Sequence, residues 1–147
     1  MFRRPDGVLE VFLVHPGGPF WAKKDLGAWS IPKGEYLDAE DPLEAAKREF
    51  REETGFVAKG DFISLGQVKQ AGGKIVVAWA FEGDADASQL KSNSFEMEWP
   101  PRSGRRLEVP EVDRGGWFNI EAARERILGG QLPLLDILSA RMQACNQ

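Results

Sequence analysis

The stretch Gly34 to Phe56, GEYLDAEDPLEAAKREFREETGF, decides how this chain is read. Its second part predicts a helix over 42–54. Asp41 suits the N-cap, Pro42 the first helical position, and Glu44, three after the cap, gives a capping-box-like pair. Gly55 suits the left-handed stop. On such a helix Glu49, Glu52 and Glu53 stand at i, i+3 and i+4, within about 100° of the circumference. Three carboxylates on one stripe repel one another and need neutralising partners. These are either basic side chains, with Lys47, Arg48 and Arg51 nearby, or a divalent cation. Surface pairs of the first kind are worth little. Hard cations such as magnesium prefer carboxylate and carbonyl oxygens, and they keep waters that phosphates can replace. Leu43, Ala46 and Phe50 form an arc centred about 90° round from Glu49, and that arc must face the core. The glutamates therefore belong at the edge of the buried face, near the rim of a sheet, where a cleft can form.

Working outward, Val8 to Val14 reads as a central strand after a Pro5-Asp6-Gly7 turn. His15 to Gly27 reads as a Gly- and Pro-rich loop, Ala28 to Ile31 as a short extended piece, and Pro32-Lys33-Gly34 as a turn. Beyond the helix, strands are expected near 62–69 and 74–82, with Gly72-Gly73 between them. A further extended piece lies near Phe95 to Trp99, followed by a loop holding Pro100, Pro101 and the basic run Arg102 to Arg106. Gly116 to Asn119 reads as a strand. Helices are expected at about 120–128 and 132–143, separated by Gly129-Gly130. Strands with interspersed helices indicate an α/β chain, a mixed sheet with helices packed on it, organised as a single domain over residues 1–147.

The 147 residues, 42% hydrophobic and 29% charged, fit one globular unit. The net charge of -4 gives no general attraction to nucleic acid or anionic membranes. A polyphosphate substrate would need local neutralisation, for which a bound cation is the simplest candidate. The single cysteine, Cys145, forms no disulfide within the chain, which fits a reducing cytoplasm. No apolar run approaches the roughly 20 residues of a membrane helix, and the amino terminus does not read as a signal peptide.

Gly34, Glu40, Arg48-Glu49-Phe50, Glu52-Glu53 and Gly55-Phe56 occupy every fixed position of the Nudix box, which the chain therefore resembles. At average residue frequencies a chance match is on the order of one in ten million. The single departure is Phe at both bulky aliphatic positions, which keeps their packing role. The lead-in Trp29-Ser30-Ile31-Pro32-Lys33-Gly34-Glu35 resembles Nudix enzymes acting on dinucleoside polyphosphates. Glu111-Val112-Asp113 resembles a segment often found late in that fold.

The resemblance implies an α/β/α sandwich and magnesium-dependent hydrolysis, with manganese able to substitute. The bond cut would be a phosphoanhydride in a nucleoside diphosphate linked to another group, such as a dinucleoside polyphosphate or a nucleoside triphosphate. It implies Glu49, Glu52, Glu53 and the Gly34 carbonyl as metal ligands, and Glu40 as a structural residue or a ligand to an additional metal. Arg48 is expected to orient a glutamate by a charge-assisted hydrogen bond, with direct phosphate contact as the alternative. The general base would be a box glutamate or a late one, with Glu98 favoured over Glu111, and Glu96 a third candidate. Lys33 is expected to contact phosphate. Trp21, Trp29, Phe95 and Trp99 are candidates for stacking on a base, and His15 is expected to border the cleft as a polar loop residue. The family usually begins with a full strand, whereas only Met1 to Arg4 precede the first turn here, so a stunted first strand is expected. The expected partner is a nucleotide or other diphosphate compound, with no nucleic acid polymer or membrane, and the chain acting as monomer or homodimer. A competing reading is a Nudix fold that binds nucleotide or protein without turnover.

Overall fold

The computed structural model describes residues 1–33 and 39–145. The expected metal ligand Gly34 lies outside them. Strand β2 (Glu10–Pro16) is the centre of the fold, and Val11, Phe12, Leu13, Val14 and His15 are all buried. A strand covered on both faces needs an unbroken apolar run, and burying each such side chain contributes about 1.5–3 kcal/mol. Strand β7 (Val112–Asn119) pairs antiparallel with β2, from Glu10 opposite Asn119 to His15 opposite Arg114. On the other side lies β1, which is only Phe2–Arg3, as expected. Its Phe2 also bridges Glu82 in parallel: the Phe2 N–H donates to the Phe81 carbonyl at 3.0 Å, and the Gly83 N–H donates to Phe2 at 2.9 Å. The sheet is therefore mixed.

Strands β3 (Ile63–Lys69) and β4 (Ile75–Ala80) form an antiparallel hairpin with an irregularity between Ser64 and Gly66. Between β4 and β2 runs an apolar gap, closed by Leu134, Leu135 and Leu138 and by Leu43, Ala46 and Phe50. Strands β5 (Ser94–Glu98) and β6 (Arg106–Pro110) form a second hairpin. β6 is not announced by the sequence, in which Arg106 reads as the end of a basic loop; the structure places Arg106 in the strand. Of its five residues only Val109 is buried, so no alternation of apolar and polar side chains marks it.

Helix α1 spans Pro42–Thr54, with Asp41 accepting from the Glu44 N–H and Gly55 in the left-handed region at φ 80°. Helices α2 (Ile120–Arg126) and α3 (Leu132–Cys145) close the chain. Val11 and Leu13 face one apolar layer, with Ala123, Ile127, Leu134 and Leu138. Phe12 and Val14 face another, with Val112, Phe56 and Trp117. The result is an α/β/α sandwich. Among the described residues no helix is long and apolar enough to cross a membrane.

Candidate functional site

The cap at Asp41 and the stop at Gly55 fix where α1 begins and ends, and so fix the direction in which its glutamates point. Ala45, one turn before Glu49, is buried, and so are Phe50 and Thr54. The acidic stripe thus runs along the border of the buried face. The Glu49 side chain is 15% exposed and that of Glu52 38%.

Arg48 spans the stripe. Its Nη2 donates to Glu40 Oε1 at 2.7 Å and its Nη1 to Glu49 Oε1 at 3.0 Å, with Glu52 Oε1 at 3.6 Å. Arg48 thus touches the glutamate that it is expected to orient. The two acceptors hold the guanidinium charged, Glu40 most strongly. Burial raises the Glu49 carboxyl above its usual range, and the neighbouring charges of Glu52 and Glu111 add to the shift, against Arg48. Glu53 goes further. Burial, then the charges of Glu49 and Glu111, push it up to about 7, while the Lys33 N–H, donating to Oε2 at 2.7 Å, opposes the shift.

Glu111 reaches this cluster through main-chain bonds. The Asn93 N–H donates to the Glu52 carbonyl at 2.9 Å, and the Glu111 N–H donates to the Asn93 carbonyl at 2.8 Å. The Gly17 N–H then donates to the Glu111 carbonyl at 3.0 Å, so the link between β6 and β7 is tied both to α1 and to the end of β2. Glu53, Glu111 and Lys33 line one cleft of about 200 Å³, together with Trp21, Ser30 and Ile31.

The other expected residues fall elsewhere. Glu98 ends β5 opposite Arg106, and Trp99 follows it; neither lines the cleft. Glu96 faces Glu108 across the same hairpin. Trp29 is only 5% exposed, its Nε1 donates to Asp25 at 2.7 Å, and its ring meets His15 and Phe118 edge-on. It is a core residue, whereas Trp21 stands at the cleft. His15 is not a loop residue. It lies in β2, fully buried, with Nδ1 at 2.9 Å from Asp113 and Nε2 at 2.6 Å from the Lys24 carbonyl. It ties down the loop that carries Trp21. The sequence reading passed over Gln131 and Thr54, both buried. Thr54 Oγ1 accepts from the Phe56 N–H at 3.0 Å, but nothing in the local sequence announces that bond. For Gln131 the only signal is a polar side chain between a Gly pair and an apolar helix.

Glu49 thus lies within electrostatic reach of Glu52, Glu53 and Glu111, with Arg48 and Lys33 as the cations beside them. Such an all-oxygen set suits a hard divalent ion, and mutual repulsion leaves it under-neutralised without one. Among the described residues no three acidic, His or Cys side chains already converge on a ready-made ion cage.

The NUDIX domain family model matches residues 2–136. No curated protein matches the chain. Among solved structures, the chain is similar to an Ap4A hydrolase binary complex from C. elegans, at 21% identity and TM-score 0.67, covering 97% of this chain and 94% of that one. It is also similar to the NUDIX domain of Shewanella oneidensis NrtR complexed with ADP ribose, at 17% identity and TM-score 0.62, covering 96% and 82%. A third similar structure is the E. coli ORF135 protein, at 22% identity and TM-score 0.58, covering 97% and 87%. Identities this low carry the fold alone, but the family match runs over nearly the whole chain, and the protein belongs to the Nudix family.

Proposed function

We propose that the protein is a metal-dependent hydrolase of a phosphoanhydride bond in a nucleoside diphosphate linked to another group, with a dinucleoside polyphosphate as the first substrate to test. The observation that carries this reading is that Glu53 and Glu111 line one cleft with Lys33 at its wall, while Glu49 lies within electrostatic reach of both and of Glu52. Similarity to an Ap4A hydrolase and to a domain complexed with ADP ribose supports the substrate class.

Glu49, Glu52 and Glu53 would hold magnesium or manganese, with the Gly34 carbonyl as a further ligand. When bound, the ion polarises the phosphoryl group and lowers the pKa of water. The chain's own groups supply the rest. Glu111 takes the proton of the attacking water on a carboxylate oxygen; in this role it replaces Glu98, which stands away from the cleft. The Lys33 ammonium faces phosphate. Arg48 holds Glu49 in place, and of the four aromatic candidates Trp21, which lines the cleft, offers the stacking surface.

Binding without turnover is the second reading, and one observation favours it: the carboxylates do not already converge in threes among the described residues. The test is phosphate release from a panel of dinucleoside polyphosphates, nucleoside triphosphates and ADP-ribose, with and without magnesium. Turnover that requires the metal and is lost in Glu52→Gln and Glu53→Gln, with the fold intact, supports hydrolysis. Tight nucleotide binding with no turnover of any compound supports the second reading.

A further inference from the structure

We propose that Gln131, the residue immediately before α3, is a positioning residue that sets the place of the Ile31–Lys33 segment and, through it, of the Lys33 amide on Glu53. The inference rests on the reading of Glu53 as a metal ligand.

Gln131 is 0% exposed, and its amide is fully engaged. Its Oε1 accepts from the Ile31 N–H at 3.0 Å, and its Nε2 donates to Ser30 Oγ and to Gln70 Oε1, each at 3.0 Å. Packing alone would be met by an apolar side chain of similar size. A buried amide is tolerated because each of its groups is matched.

The segment it holds is stiff. Proline fixes its own φ and keeps the residue before it out of the helical region, so Ile31-Pro32 moves as a unit. Placing the Ile31 N–H therefore places the Lys33 N–H two residues on, and that group meets Glu53 Oε2 at 2.7 Å. The anchor is firm as well. The Leu128 N–H donates to the Trp29 carbonyl at 2.8 Å, and the Gln131 N–H donates to the Leu128 carbonyl at 2.9 Å. Gly130 lies against Gln70, where an added Cβ would meet the Gln70 Cα at 3.0 Å. Three parts of the chain, the β3–β4 turn, the turn before α3 and the loop before α1, thus meet at one side chain.

The test measures Mn2+ binding to the full chain by the loss of the free-ion electron paramagnetic resonance signal. Groups that orient a metal ligand typically cost 10- to 100-fold in affinity when removed. Gln131→Leu acts one step further out, so roughly tenfold weaker Mn2+ binding is expected. Ser30→Ala removes one of the two Nε2 acceptors and also the Ser30 Oγ bonds to Gln131 Oε1 and to the Ile31 carbonyl, so it loosens the same segment and should weaken Mn2+ binding in the same direction. Gln70→Ala cuts another arm of the network without touching Ile31. It should lower the thermal midpoint but leave Mn2+ affinity within about twofold, which separates positioning from general loosening. In turnover, the metal concentration for half activation should rise in Gln131→Leu while KM for the nucleotide holds.

Glu53→Gln distinguishes the two levels of the claim. If it binds Mn2+ as tightly as the parent, the reading of Glu53 fails. If it loses Mn2+ while Gln131→Leu retains it, the positioning role of Gln131 is overturned.

Discussion

The main-chain N–H of Lys33 donates to Glu53 Oε2 across 2.7 Å, a bond from the loop before α1 to the last turn of that helix. It is too little to offset burial, which pushes the Glu53 carboxyl up to about 7 from an ordinary 4.5. The folded chain therefore holds this proton more tightly than the unfolded chain. Stability from this group is present at low pH and declines as pH rises from about 4.5 to about 7, by at most about 3 kcal/mol. Urea unfolding in EDTA between pH 5 and pH 8 should show the decline in the parent and less of it in Glu53→Gln. Magnesium added at pH 8 should restore stability to the parent alone. Identical pH slopes in the two proteins would contradict the assignment.

Of the three late glutamates that are candidates for the base, Glu111 and Glu98 make opposite predictions. Glu111 lines the cleft and is tied through Asn93 to the main chain of Glu52; Glu98 ends a hairpin opposite Arg106. Removing a general base costs about 10²- to 10⁴-fold in kcat. Glu111→Gln should fall in that range with little change in KM, and Glu98→Gln should keep parental rates. The reverse result in steady-state kinetics would return the role to Glu98.

Much of this arrangement was written locally. Asp41, Pro42 and Gly55 mark the ends of α1 with side-chain chemistry that works within a few residues, and so its boundaries could be read. The acidic stripe followed from helical spacing alone. What could not be read depends on distant partners. β6 is exposed at four of its five positions, and only its pairing with β5 makes it a strand. Trp29 looks like a stacking residue until Asp25, His15 and Phe118 enclose it. His15 takes its meaning from Asp113, which lies in β7. The choice between Glu98 and Glu111 was open for the same reason, since it is decided by which strand end approaches α1.

Arg48 donates through Nη2 to Glu40 and through Nη1 to Glu49, so both arms of the planar guanidinium fork are used. Lysine keeps the charge but cannot serve both acceptors from one fixed plane. Arg48→Lys and Arg48→Ala should both lose activity by about 10- to 100-fold, with half-maximal activation requiring more magnesium. The exposed setting of the side chain implies little change in thermal midpoint. A lysine variant with full activity would show that charge alone is needed.

Gly17 couples the end of β2 to the candidate base. Its N–H donates to the Glu111 carbonyl at 3.0 Å, and a Cβ at this position would overlap the carbonyl oxygen of Pro110, the residue before Glu111. The obstacle is main chain, not the tip of a flexible side chain, so Gly17→Ala must displace Pro110–Glu111 from the cleft. Overpacking of this kind costs about 1–3 kcal/mol. The expected signature is a modest drop in unfolding free energy with a kcat loss resembling that of Glu111→Gln. Gly129→Ala is the control: an added Cβ meets nothing within 4 Å there, so rate and stability should hold or the stability rise slightly. If Gly17→Ala lost stability yet kept its kcat, the position of Glu111 would not matter to the chemistry, and its assignment as base would fall with it.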